Sequence, residues 1–189
     1  ELMNDNFNSQ LPQMVKASSE CGCRLETWDK VHKAINLIKA VAQTHNIFTA
    51  FSGGKDSVVL RFLMIEAGVK PNLIHNVTTI DPPGTISFCL KMGAQLNRNK
   101  ESFLDLVEKR GMPTMFRRFC CKELKEKYIG DYGFFGIRKA ESVKRAQCYD
   151  DVSDIYYYTK KKFTERYFPM LYFTDEDVAE IINTKQLTS

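Results

Sequence analysis

The chain lacks the features that mark fibrous and membrane-embedded proteins. Its 10 glycines and 6 prolines are dispersed, and no internal repeat or low-complexity tract is present. This excludes a collagen-like chain, and the average content of hydrophobic (43%) and charged (26%) residues favours a single compact globular domain. The longest apolar stretches, 47–51 and 73–77, are far shorter than the roughly 20 residues that cross a bilayer, so we expect no membrane segment.

Cysteine is too scarce, at six residues, for a dense disulfide framework, which indicates reduced thiols. The sequence contains no Cys-x-x-Cys and no His-x-x-x-His, so we do not expect a closed zinc site. No apolar signal segment follows Glu1. Together these absences predict a cytoplasmic protein.

Positive charge is only slightly in excess. Lys and Arg outnumber Asp and Glu by 27 to 23, a net charge of +4 that does not by itself indicate a nucleic acid partner. The basic run 160–162 lies between tyrosines 156–158 and Phe163, and such interleaving can bind single strands. We favour a solvated loop here, so nucleic acid stays a less favoured partner.

Hydrophobic periodicity predicts an α/β protein. We interpret residues 1–26 as a polar amino-terminal arm and 27–189 as a single domain that is cut short at its carboxyl end. Strands are predicted over 47–51, 73–79 and 134–137. Helices are predicted over 27–45, 55–67, 85–92, 102–110, 121–128, 140–148 and 174–182. This alternation is typical of an open, mostly parallel twisted sheet with helices on both faces.

A glycine-containing loop lies where the first strand meets the helix over 55–67. Its residues are Ser52, Gly53, Gly54, Lys55, Asp56 and Ser57. Glycine has no Cβ, so its N–H can closely approach a phosphate, and the amides of the first helical turn add further donors. The spacing is neither that of the Gly-x-x-x-x-Gly-Lys-Ser/Thr loop nor Gly-x-Gly-x-x-Gly. The loop predicts a phosphate or sulfate site, with a capped glycine turn as the structural alternative.

This loop resembles the Ser-Gly-Gly-x-Asp-Ser loop of the adenine nucleotide alpha hydrolase-like (PP-loop) superfamily. Within it, segments 78–83, 117–125, 136–145 and, more weakly, 169–178 resemble the phosphoadenosine phosphosulfate (PAPS) reductase family in the expected order. The resemblance covers roughly residues 48–182. It implies the Rossmann-like fold of that superfamily and an adenine nucleotide ligand: ATP, adenosine phosphosulfate or PAPS.

The resemblance implies binding residues beyond the loop. It assigns adenine recognition to backbone around Thr79, and anion binding to Asp81, Arg117, Arg118, Gly136, Arg138 and Arg145. Because ligands of open α/β sheets bind beyond the carboxyl ends of the strands, we expect the loop, Asp81 and Arg138 to share one crevice. Two alternatives stay open, namely Asp81 as a cap of the helix at 85 and Arg145 as a solvated helix residue.

Three residues are candidates for catalysis: Lys55, Cys120 and Cys121. Lys55 would stabilise charge on the departing phosphate oxygens. In some members of the family a Cys-Cys pair joins a later Cys-x-x-Cys around a four-iron cluster, so Cys120 and Cys121 are candidate iron–sulfur ligands in the full-length protein, with no metal site in this chain. A low-pKa thiolate beside the arginines, or two small buried residues, are the other interpretations.

Family reductases attack sulfur with a carboxy-terminal cysteine and release sulfite through thioredoxin-type thiols. The resemblance therefore implies sulfonucleotide reduction or ATP-dependent sulfur transfer, with a thioredoxin-type reductant as a partner. A non-catalytic nucleotide sensor or partner-binding module, and a sulfurtransferase acting on nucleic acid, are the alternatives. A homodimer is a further expectation. For Cys21 and Cys23 the sequence suggests no role except a metal or redox pair.

Overall fold

The protein folds around one six-stranded sheet. The computed structural model describes residues 24–114 and 116–187. The strands are β1 (Phe48–Ala50), β2 (Leu73–Asn76), β3 (Gln95–Asn97), β4 (Tyr132–Phe134), β5 (Ser153–Thr159) and β6 (Lys162–Tyr167). Their order is β3-β2-β1-β4-β6-β5, and every pair is parallel except the β5–β6 hairpin. The prediction of an open, mostly parallel α/β sheet is confirmed.

Helices connect the strands. They are α1 (Leu25–Thr44), α2 (Lys55–Glu66), α3 (Thr85–Lys91), α4 (Phe103–Arg110), a π-helix (Cys121–Lys125), a 3₁₀ turn (Lys139–Glu141), α5 (Val143–Cys148) and α6 (Asp175–Thr184). The main core joins α1, α2 and α6 to β4 through fully buried side chains such as Ile38, Leu63, Phe134 and Val178. No helix in residues 24–114 or 116–187 has the length and apolar character of a membrane span.

Several predicted boundaries were wrong. The helix expected over 121–128 is the five-residue π-helix, and the strand expected over 134–137 lies earlier, at β4. Ser142 is extended and accepts a hydrogen bond from the Arg145 amide, so it divides the helix expected over 140–148 into the 3₁₀ turn and α5. Residues 1–23 of the predicted arm, including Cys21 and Cys23, lie outside the described residues.

Three strands were missing from the prediction. β3 has only three residues and two of them are polar, so its sequence has no apolar run. β5 and β6 form a hairpin in which Lys160 and Lys161 make the turn. The basic run interpreted as a solvated loop therefore lies partly in a turn and partly, at Lys162, in a strand.

A buried carboxylate, that of Asp177, connects the first helix, α1, to the last helix, α6. Asp177, in α6, is 2% exposed and accepts hydrogen bonds from Thr27 Oγ1 (2.8 Å), Lys30 Nζ (2.5 Å) and the Thr174 amide (2.8 Å). Burial alone would raise the pKa of Asp177, but the hydrogen bonds from Lys30, Thr174 and Thr27 outweigh it and lower this pKa to about 2. The ionised carboxylate therefore stabilises the packing of α1 against α6.

We expect Asp177→Asn to lower the free energy of unfolding by about 2 kcal/mol at neutral pH, the size that a pKa lowered from 3.8 to about 2 implies. Because the folded pKa is the lower one, this contribution is present above the ordinary value and is lost as the pH falls from about 4 towards 2. Urea unfolding of both proteins across this range measures it, with the exposed Asp150→Asn as the control. A difference independent of pH would contradict the assignment.

Candidate functional site

The glycine loop directly follows β1 and opens α2. Gly53 has a φ of +80°, and a Cβ at this position would lie 3.2 Å from the Cys89 Sγ of α3. Gly54 is the N-cap of α2 in an extended conformation. The left-handed backbone and the proximity of α3 both favour glycine at 53. The loop thus brings the exposed amino end of α2 to the carboxyl edge of the sheet.

The two loop serines are engaged within the loop itself. Ser57 donates to the Gly54 carbonyl at 2.7 Å, and the Gly54 amide donates to Ser52 Oγ at 3.3 Å. Ser52 Oγ also donates to Ser57 Oγ, at 3.4 Å. These bonds hold the loop's shape, so the hydroxyls pre-organise the backbone amides before any anion is present.

Arg138 is the buried centre of the site. Its side chain is 1% exposed, and its guanidinium donates to Asp56 Oδ1 (2.8 Å, from Nε), Asp175 Oδ1 (2.9 Å, from Nη2) and the Phe173 carbonyl (3.4 Å, from Nη1). Arg138 therefore fastens the segment after β4 to the glycine loop and to the start of α6. The expectation that loop and arginine share one site agrees with this contact, while direct anion binding by Arg138 stays a prediction.

Lys55 and Asp175 form the exposed side of the same network. Lys55 Nζ donates to Asp175 Oδ1 at 2.8 Å, and this is the oxygen that Arg138 Nη2 also contacts. Hydrogen bonds and charge from Lys55 and Arg138 hold the pKa of Asp175 below its ordinary value. The side chains of Lys55 and Asp175 are 52% and 60% exposed, so both can rearrange towards a ligand.

Gly136 lies just after β4 and permits close contact between this segment and α2. A Cβ at Gly136 would lie 3.3 Å from the Asp56 carbonyl oxygen, a backbone atom that cannot move aside without shifting α2. In this structure Gly136 therefore contributes to the site by leaving room for the backbone of α2. It lets the chain pass behind the glycine loop and reach Arg138.

The segment after β2 closes on itself through Asp81 and Thr79. Asp81 Oδ2 accepts from the Thr78 amide at 2.8 Å, and the cap of α3 is Gly84 without a side-chain bond. The alternative that Asp81 caps the helix at 85 is therefore wrong. Thr79, at a φ of +63°, donates to the Thr78 carbonyl (2.6 Å) and accepts from the Phe103 amide (2.8 Å), which fixes the start of α4.

His75 was missing from the sequence-based site. It lies at the end of β2, is 4% exposed, and its Nδ1 is 2.9 Å from the Phe51 carbonyl oxygen, which makes Nδ1 the protonated nitrogen. Its Nε2 lies 3.7 Å from Asp81 Oδ1 and has no hydrogen-bond partner among the described residues. His75 thus bridges the residue before the glycine loop and the turn after β2.

The cysteine pair is also anchored at the carboxyl edge of the sheet. Asn76 and Asn97, the last residues of β2 and β3, are hydrogen-bonded to each other (2.8 Å), and Asn76 Nδ2 donates to the Lys125 carbonyl at the end of the π-helix (2.7 Å). Burial, and then the neighbouring Cys120, raise the pKa of Cys121. This direction opposes a reactive thiolate at Cys121 in this state.

Cys120 and Cys121 do not by themselves make an iron–sulfur site. A four-iron cluster takes four cysteine ligands, and this pair supplies two. Across the part of the chain that the structure describes, no group of three or more His, Cys, Asp or Glu residues comes together in a way that could hold a metal ion. A role of Cys120 and Cys121 as cluster ligands in the full-length protein stays a prediction.

The remaining predicted arginines lie outside the Arg138 network. Arg117 and Arg118 are exposed, and no ion pair or hydrogen bond joins either side chain to the glycine loop among the described residues. Arg145 pairs with Glu141, whose carboxylate also accepts from the Arg138 amide at 3.0 Å. Anion binding by these three arginines stays a prediction.

Comparison with known proteins agrees with this geometry. The family model of the phosphoadenosine phosphosulfate reductase domain matches residues 46–189. The chain belongs to this family. Its membership supports a sulfonucleotide-related function and indicates an enzyme.

A solved structure has the same fold. The crystal structure of phosphoadenylyl-sulfate (PAPS) reductase from Candida auris, in a phosphate complex, superimposes with a TM-score of 0.61 at 13% sequence identity. The match covers 82% of this chain and 81% of that chain. A comparison with curated proteins found no match to the chain.

The conformation of Gly53 gives a test of the loop. We expect Gly53→Ala to lower the free energy of unfolding by about 1–3 kcal/mol, because an L-residue is strained at this φ and its Cβ meets Cys89. Gly54→Ala should cost less, about 0.5–1 kcal/mol, because alanine is the poorer N-cap but is unstrained at a φ of −80°, and its Cβ would meet only Ser52 Oγ, at 3.5 Å. Urea unfolding measures both, and equal losses would contradict the left-handed loop.

Proposed function

We propose that this domain binds a sulfonucleotide, adenosine phosphosulfate or PAPS, and takes part in its reduction. The phosphosulfate end would bind the loop from Ser52 to Ser57, and the adenine would bind the backbone around Thr79. The observation that supports this best is the contact of buried Arg138 with Asp56, because it holds the glycine loop, Lys55 and the segment after β4 at one edge of the sheet.

The loop has the groups that this chemistry requires. Reduction of a sulfonucleotide takes two electrons from two thiols, which become a disulfide, and releases sulfite and the adenosine phosphate. Negative charge accumulates on the departing phosphate oxygens, where the Gly53 and Gly54 amides, the amino end of α2 and Lys55 can stabilise it. Lys55, which is half exposed, is the residue that can turn from Asp175 to this oxygen.

The thiols would come from a thioredoxin-type reductant. The raised pKa of Cys121 argues against its acting as the first nucleophile, and it favours a role for the pair in shaping this edge of the sheet. The second candidate function is a nucleotide sensor that binds without turnover. A cytoplasmic location, where such thiols are reduced, belongs to the proposal.

Two other activities find less support. ATP-dependent sulfur transfer would use the same loop. The nucleotide that the loop binds, ATP or a sulfonucleotide, distinguishes this activity from reduction. For a nucleic acid substrate the basic hairpin is poorly placed, because Lys160, Lys161 and Lys162 lie at the amino end of β6, whereas the glycine loop follows the carboxyl end of the parallel strand β1. The ammonium of Lys162 also lies over the Tyr128 ring, 5.3 Å from its centroid.

We expect PAPS or adenosine phosphosulfate to bind more tightly than ATP, and Lys55→Ala to weaken that binding about tenfold or more, since a charged hydrogen bond is worth about 1.5–3 kcal/mol. Isothermal titration calorimetry with the three nucleotides measures this. Lys70→Ala is the matched control, because Lys70 is an exposed lysine just before β2, at the opposite edge of the sheet.

A turnover assay separates the candidates. Sulfite release from the tightest sulfonucleotide in the presence of reduced thioredoxin supports the reductase, and tight binding without sulfite supports the sensor. Pyrophosphate release from ATP would support sulfur transfer instead. If none of the three nucleotides binds, the proposed function is wrong.

A further inference from the structure

Four charged side chains form a neutral chain at the site. Lys55 contacts Asp175, Asp175 contacts Arg138, and Arg138 contacts Asp56, at 2.8, 2.9 and 2.8 Å. Two positive and two negative charges cancel. In this state the loop therefore offers an incoming anion no net positive charge from these side chains, although backbone amides and two cations converge there.

The inner and outer halves of this chain differ in mobility. The side chains of Arg138 and Asp56 are 1% and 18% exposed, so their pair is fixed in the protein interior. Asp175 and Lys55 are exposed and can separate by side-chain rotation alone. The capping box of α6 is made by Thr174 and Asp177, so Asp175 takes no part in capping, and its side chain contacts Arg138 and Lys55.

We propose that Asp175 is an internal counter-ion of the anion site, which holds Lys55 until the phosphosulfate group of the ligand displaces it. This inference rests on the proposed function. Every anion must compete with the Asp175 carboxylate for Lys55, which weakens its binding. A nucleotide offsets this loss through its adenosine contacts, whereas a free inorganic anion has no other contacts. Asp175 would thus be a specificity-determining residue that keeps small anions out of the loop.

Removal of the carboxylate charge tests this directly. We expect Asp175→Asn to bind inorganic pyrophosphate about three- to tenfold more tightly than the wild type, with a smaller relative gain for PAPS, as measured by calorimetry at low ionic strength. Glu176→Gln is the matched control, because it removes the same charge from the neighbouring exposed position of α6. It should leave pyrophosphate affinity within twofold of the wild type.

The gain must also depend on Lys55. In a Lys55→Ala background, Asp175→Asn should change pyrophosphate affinity by less than twofold, because the competitor and its cation are both gone. Thermal unfolding of each variant checks that the fold is intact, and Asp175→Ala serves as a second substitution should Asp175→Asn unfold.

Two outcomes would overturn the proposal. Weaker pyrophosphate binding by Asp175→Asn would show that the carboxylate positions Lys55 for the anion instead of competing with it. An equal gain in Glu176→Gln would show a general effect of charge. Because pyrophosphate is the probe, these outcomes are separate from the failure of PAPS to bind, which would overturn the proposed function alone.

Discussion

The buried guanidinium of Arg138 is the constraint on which the site depends. A charge that is removed from water must be paired, because its desolvation costs several kcal/mol. Arg138 meets this need through Asp56 in the first turn of α2 and Asp175 in the first turn of α6. Two helices and the segment after β4 are therefore held in one arrangement by one side chain.

In the proposed function, this arrangement would let a small loop bind an anion with few residues of its own. The serines of the loop hydrogen-bond within the loop, and Gly136 allows the backbone after β4 to pass close behind Asp56. The backbone amides at the start of α2 are thus fixed without a ligand, so that in the proposed reaction their reorganisation would not add to the barrier. Lys55 and Asp175 are the mobile part of this site, because their side chains are exposed whereas that of Arg138 is buried.

The segments after β2 and the π-helix complete the same edge of the sheet. His75 donates to the Phe51 carbonyl and lies beside Asp81, and Asn76 donates to the Lys125 carbonyl at the end of the cysteine-bearing turn. Each of these contacts is made by a residue at the end of a strand. The proposed function is assigned to this edge because parallel strands end there together, and their following loops must converge.

The sequence alone determined the alternation of strands and helices, the position of the glycine loop and its likeness to the PAPS reductase family, since these depend on local periodicity and on contiguous residues. It did not reveal β3, which lacks an apolar run. The β-prone aromatic residues of β5 and β6 were a signal for the hairpin that the basic turn obscured. The pairings of Arg138 with Asp56 and Asp175, and of His75 with Asp81, were decided only by the tertiary structure. The two Arg138 contacts join residues 82 and 37 positions apart, and such contacts depend on strand order and helix packing, which no local pattern encodes.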